Sequence, residues 1–199
     1  MRRFPLKPSL RAFLAALCCA LSLVAWSAPA PKPPLWKLVA AQISYTAQGP
    51  FGPFTATSRQ LAAKVTFDPR HPSSLRGLLE VPSSSFHSSN ALRDIDARRE
   101  VFMSQRFPVI SLRLEQLRGW KGSSGTAAVI LSGQLTLDGV THPVVVRGFL
   151  SLAGSEATFR GSFTLSLTAY RIKPPQLLFW TVGSRVTISV AVKAEEAPS

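Results

Sequence analysis

Ala157-Thr158-Phe159-Arg160-Gly161-Ser162-Phe163-Thr164-Leu165-Ser166-Leu167-Thr168 puts Phe159, Gly161, Phe163, Leu165 and Leu167 on one side of an extended chain and Thr158, Arg160, Ser162, Thr164 and Ser166 on the other. A repeat of two is the period of a strand with one dry face and one wet face. The same period recurs upstream in Val129, Leu131, Gly133, Leu135 and Leu137 and in Val144, Val146, Gly148, Leu150 and Leu152, and downstream in Val186, Ile188, Val190 and Val192. Weaker alternation covers residues 37–47, 60–68, 75–81 and 109–117. Between two of the strong runs stands Asp138-Gly139, a pair that favours the positive φ angles of a type I′ turn, so residues 134–152 read as one long hairpin. Only residues 90–102 depart from period two. Leu92, Ile95 and Phe102 fall near one side of a helix there, and Asn90 can cap its start.

The fold class is therefore all-β, with eight antiparallel strands and one short helix. Strands of this number and spacing build either a sandwich or a closed barrel. An eight-stranded barrel just encloses one slender ligand, whereas a sandwich core is filled solid. Inward Gly133, Gly148 and Gly161 would keep room inside a barrel or let strands bend sharply. Periodicity alone leaves both architectures open.

Ahead of this domain, Arg2, Arg3, Lys7 and Arg11 precede an apolar run from Ala12 to Ala25, followed by small residues and prolines. That order is the pattern of a secretory signal, and the run is too short for a membrane span. Residues 1–30 are expected to be a signal peptide and residues 31–35 a Pro-rich leader, which sends the chain out of the cytoplasm. Both cysteines, Cys18 and Cys19, fall inside the apolar run, so the mature chain would hold no disulfide and no thiolate metal site. Loss of the four leading cations lowers the net charge from +13 to +9. The remaining cations are scattered, with Arg98-Arg99 the only adjacent pair, which argues against a nucleic-acid partner and favours contact with anionic head groups or a membrane surface.

Signals for catalysis are weak. His71, His87 and His142 are far apart and lack i,i+4 partners, so no metal is expected. The Ser-rich run 83–89 near Asp94 has no Gly-x-Ser-x-Gly elbow. The reading is of a protein that is not an enzyme. Phe102, Phe107, Phe159, Phe163, Leu165 and Trp180 are candidates to line an apolar pocket. Asn90, Arg93 and Arg171 are candidates for a head group at its mouth, although Asn90 can serve only as a cap and Arg93 can pair with Asp94. In residues 170–180, two prolines followed by Leu177-Leu178-Phe179-Trp180 form either a flap at the barrel mouth or a bent connection packed over the barrel end.

Five segments in order carry a family resemblance: Phe67-Asp68-Pro69; Asn90-Ala91-Leu92-Arg93-Asp94; Phe102 with Arg106-Phe107-Pro108-Val109-Ile110; Gly133 to Val144 around Leu137-Asp138-Gly139-Val140-Thr141-His142-Pro143; and Val182-Gly183-Ser184-Arg185-Val186-Thr187-Ile188. Together they resemble the YceI-like family of exported lipid-binding and polyisoprenoid-binding proteins. Where many members carry a His two residues after the Arg-Asp pair, this chain has Asp96. The resemblance implies a lipocalin-like domain over residues 36–194, followed by a tail at 195–199. It also implies a bound isoprenoid or acyl lipid rather than a cofactor, and a monomer or homodimer that carries or stores an amphiphile such as a polyisoprenoid, quinone or fatty acid derivative. The alternative is a protein-interaction module with a packed barrel core, docking a partner through the 177–180 surface.

Overall fold

A computed structural model describes residues 32–49, 52–173, 176–177, 180–181 and 183–198, with 176–177 and 180–181 known by their backbone; the expected signal peptide, residues 1–30, lies outside the described residues, and the last residue of the expected leader, Leu35, already belongs to the first strand. The strands are β1 (Leu35–Gly49), β2 (Gly52–Ser58), β3 (Ala62–Asp68), β4 (His71–Pro82), β5 (Val109–Arg118), β6 (Gly125–Leu137), β7 (Val140–Ala153), β8 (Glu156–Ser166), the two-residue β9 (Gln176–Leu177) and β10 (Trp180–Thr181), and β11 (Arg185–Glu196). The main sheet runs in the order β11-β8-β7-β6-β5-β4-β3-β1, and β11 pairs with β1, so the sheet closes into an antiparallel barrel of eight strands. Closure decides against the sandwich. β2 lies beside the C-terminal half of β1 and continues the line of β3.

β6 and β7 register from Gly125–Leu152 to Leu137–Val140 around the Asp138-Gly139 turn, where φ is 51° and 73°. These angles meet the requirement that the sequence signalled. In β8 the expected inward residues alternate with exposed ones, and the strand ends at Ser166, so that Leu167 opens a short 3₁₀ turn (Leu167–Tyr170) instead. The helix is shorter than residues 90–102: α1 spans Ala91–Asp96, and a π turn, Ala97–Val101, carries the chain on to Phe102.

Two irregularities explain why β1 and β5 read weakly. The β1–β11 register shifts between Leu38 and Ala40, leaving Val39 as an extra residue, and the β5–β6 register shifts between Leu114 and Gln116. A bulge of one residue moves the inward set from one parity to the other. Hence Trp36 and Leu38 point inward before Val39, Ile43 after it, and Leu112 and Leu114 before Glu115, Leu117 after it.

The inward glycines do not hold open space. A Cβ on Gly133 would lie 2.2 Å from the Arg113 carbonyl oxygen, and one on Gly161 would lie 2.5 Å from the Phe159 ring. Gly148, paired with Gly161, would place a Cβ 2.2 Å from the Arg160 oxygen and 2.7 Å from the Gly161 Cα, both main-chain atoms that cannot swing aside. Glycine therefore lets β7 and β8 approach closely. Gly148→Ala is expected to lower stability by about 3 kcal/mol, the upper part of the usual overpacking range. The check is the urea midpoint at unchanged slope, and a loss below about 0.5 kcal/mol would mean that the strands yield freely.

Candidate ligand-binding site

Inside the barrel lies a cavity of about 220 Å³. Residues of every barrel strand line it, and on β6 alone the lining runs from Val129 to Leu137. Eight steps of about 3.3 Å make that roughly 26 Å of strand, so the cavity follows the barrel for most of its length. Its walls are aliphatic and aromatic. Among the described lining residues only Thr158 and Trp36 carry a side-chain polar atom, and the Trp36 indole N–H donates to the Phe67 carbonyl at 2.8 Å. The volume far exceeds the roughly 10–15 Å³ that admits one water, yet water needs two to four polar partners, which these walls do not offer.

The cavity sits between two packed clusters. At the end formed by the β3–β4 turn, Trp36, Phe67, Leu75, Leu117 and Trp120 are buried together, and the Trp120 indole N–H donates to the Pro69 carbonyl at 3.1 Å. At the opposite end Tyr45, Phe54, Phe86 and Phe102 pack under α1: Phe86 stacks on Phe102 at 5.6 Å between ring centroids, and Tyr45 meets Phe102 edge-on at 5.7 Å. Phe163 and Leu112 touch both clusters and stand at the waist.

Polar contacts at this second end hold α1 down. The Asn90 side chain accepts from the Arg93 backbone N–H at 3.0 Å, closing the first turn. Buried Asp94 accepts from the backbone N–H and the hydroxyl of Ser88, at 2.9 and 2.6 Å, and lies 3.6 Å from the His87 imidazole. His87 in turn bridges by its backbone to Thr57 of β2. The serine hydroxyl thus bonds the carboxylate and not the imidazole, so the group is a tether in the order Ser–Asp–His and does not form a nucleophile–base pair. The Arg93 guanidinium lies 4.3 Å over the Phe54 ring, a cation–π contact in place of the expected pairing with Asp94. Burial, reinforced by the Asp94 charge and opposed by Arg93, pushes the Tyr45 phenol up to about 12.

Of the candidate pocket residues, Phe159, Phe163 and Leu165 line the cavity. Phe102 is buried in the cluster beneath α1, and Phe107 packs against Gly139 at the β6–β7 turn, so neither forms its wall. The Trp180 side chain and the 177–180 surface lie outside the described residues. None of the three head-group candidates reaches the cavity: Asn90 is a cap, Arg93 covers Phe54, and Arg171 is exposed in a left-handed conformation after the 3₁₀ turn. His142 belongs to β7 beyond the turn, with Nε2 2.8 Å from the Ala169 oxygen. Sequence reasoning missed Leu38, Ile43, Leu61 and Ala63, whose alternation is broken by the Val39 bulge and by the bend between β2 and β3.

A family model, the YceI-like domain, matches residues 36–194. The chain belongs to the YceI-like family. The chain shares 30% identity over 115 residues with a UPF0312 protein of Pseudomonas aeruginosa, over 54% of this chain and 58% of that one, so the match spans little more than half of the relative's length. Among solved structures, the fold resembles a polyisoprenoid binding domain from Saccharophagus degradans implicated in plant cell wall breakdown, with a TM-score of 0.68 and 11% identity over 82% of this chain and 99% of that one. It also resembles Burkholderia cenocepacia BcnA, with a TM-score of 0.66 and 17% identity over 77% and 95%. At these identities the structural likeness concerns the barrel.

One titratable group of the YceI-like domain is misplaced for charge. Asp138 is buried, both carboxylate oxygens lack a hydrogen-bond partner, and burial pushes its pKa from 3.8 up to about 6. The folded state therefore prefers the neutral acid. Below pH 3.8 both states are protonated and no penalty exists; from there to about pH 6 the unfolded chain ionises while the folded one keeps its proton, and stability falls until it levels off above pH 6. Two pKa units discounted for solvent screening leave about 1 kcal/mol. Asp138→Asn, which tolerates the positive φ, should raise Tm by about 2–4 °C at pH 7.5 and by nothing at pH 3.5, as read by thermal denaturation across that range. An equal effect at both pH values would place its cause outside ionisation.

Proposed function

We propose that this chain is an exported, periplasmic binding protein that carries or stores an amphiphile by enclosing its long apolar tail, of isoprenoid, quinone or acyl type, inside the barrel. The observation that carries the reading is the long cavity with almost wholly apolar walls. An unfilled cavity of this volume would cost about 5 kcal/mol at roughly 24 cal/mol per Å³. That is comparable with the entire stability of many domains, about 5–15 kcal/mol, so a void this large calls for an occupant. A tail entering it gains about 25 cal/mol for each Å² removed from water and needs no directional partner. The polyisoprenoid binding domain that shares this barrel supports the isoprenoid class. Nothing about such walls activates a bond, which favours binding over catalysis.

The chain should therefore be recovered from the periplasm with a stoichiometric lipid that mass spectrometry of an organic extract identifies. Phe163→Trp, which enlarges the side chain at the waist, should lower retention of that lipid at least tenfold while the far-ultraviolet circular dichroism stays that of a barrel. Recovery of lipid-free protein that also refuses added prenyl and acyl lipids would remove the reading.

A further inference from the structure

The barrel ladder lapses at three places among the described residues: between β4 and β5 beyond Gly77–Leu114, between β7 and β8 beyond Arg147–Ser162, and along one edge of β1, where alone two cations face each other across the gap. On the edge of β1 that faces β2 and β3, pairing covers Leu35 and Trp36 with β3 and resumes only at Ile43 with β2. Both stretches share one register, so residues 37–42 and 59–64 face each other without a ladder. The chain at the bend satisfies itself instead, because the Gln60 backbone N–H donates to the Ser58 hydroxyl at 3.1 Å, and Ser58 is bonded to Ser85 at 2.7 Å. Leu38 and Ile43 on one edge of this seam, and Leu61 and Ala63 on the other, are cavity-lining residues. The seam is thus backed on its inner side by cavity-lining residues, while buried aromatic clusters pack at both barrel ends among the described residues.

The outer lip of the seam is cationic. One step beyond the Trp36–Val65 pair, Lys37 of β1 stands opposite Lys64 of β3, and both are exposed. Like charges directly opposite one another weaken strand pairing, which fits a ladder that stops here. Among the described residues neither lysine is within 4.0 Å of a carboxylate, although Glu195 of β11 faces Lys37 across the other ladder. Exposed Val39 (51%) and Leu78 (40%) flank the pair, so two flexible cations sit on a partly apolar rim. Lysine supplies compact charges on long apolar stems, suited to a phosphate or carboxylate whose tail lies beside it.

We infer that the seam between β1 and the β2–β3 strand is a lateral entrance, and that Lys37 and Lys64 hold the anionic head group of a single-tailed amphiphile whose tail passes between Leu38 and Leu61 into the cavity. The inference rests on the interior-binding reading and adds to it the charge of the ligand and the place of its head. The anion relieves the repulsion between the two lysines, so binding and closure of the seam support each other.

The test compares a twenty-carbon prenyl phosphate, palmitate and the uncharged twenty-carbon prenol on the wild-type protein and on Lys37→Glu/Lys64→Glu, by calorimetric affinity and stopped-flow uptake, with Lys37→Gln/Lys64→Gln as the milder pair. Both pairs are exposed on the wall, and thermal denaturation verifies folding. The glutamate pair should weaken at least one anionic ligand tenfold or more and slow its uptake, the glutamine pair should do so to a smaller degree, and the prenol should be unaffected. Which anion loses most distinguishes a phosphate from a carboxylate head. Unchanged binding of both anions, or equal loss for prenol and anions, overturns the inference while leaving interior binding intact. Failure of the wild-type protein to bind any of the three ends both readings together.

Discussion

The ladder between β1 and β11 turns a sheet into a container. It runs from Trp36–Glu196 to Ala47–Val186 and joins the first strand of the domain to the last. Closure removes the long open edges that a sheet of this size would otherwise present. It also sets the interior volume, because with eight strands the space between opposite walls is just too wide to vanish and narrow enough for side chains to reach into. On its other edge β1 pairs at Leu35 and Trp36 and again from Ile43 to Gly49, so the same strand that seals the barrel also leaves an unpaired stretch of wall between them.

Side-chain size divides the interior into regions with different tasks. Large aromatics are concentrated at the ends, where indole N–H groups meet main-chain carbonyls and rings stack beneath α1. The middle is lined mostly by Leu, Val, Ile and Ala, and these do not reach across. Close approach of β7 and β8 at Gly148 and Gly161 and the bulges at Val39 and Glu115 supply the curvature that lets straight strands wrap such a volume. Stability resides in the ends and the ladders, which allows the middle to stay open.

The sequence made the strands legible because burial on one face imposes period two, and Asp138-Gly139 fixed the central hairpin. β2 escaped notice: Phe54, Ala56 and Ser58 do alternate, but the segment is short and begins at Gly52-Pro53, a pair that reads as a turn. Inward direction was readable for Phe159, Phe163 and Leu165, and these do line the cavity, whereas Phe102 belongs to the plug. Periodicity reports the face of a residue, not its depth along the barrel axis, and only depth separates a wall from a plug. Arg93 likewise offered two charged readings, and its position over Phe54 depends on β2, the strand that went unread. The opposition of Lys37 and Lys64 needs the register across a seam, which no local pattern encodes.

A cavity of this kind can select little by itself. Apolar walls distinguish tails by length and girth, and one methylene changes binding by only about 1–3 kcal/mol. Isoprenoid, quinone and acyl chains differ more in their heads than in the surface their tails present, so discrimination must arise where the ligand meets charge. No cation among the described residues lines the interior, and of the arginines expected at its mouth Arg93 is engaged on a ring and Arg171 is exposed beyond the 3₁₀ turn. On the proposed reading, selection by head group falls to the outside of the wall, beside the seam. A scattered positive charge would then have a physical use: it would raise the local concentration of anionic amphiphiles around the whole barrel, and on the proposed reading the seam is where that attraction meets apolar walls.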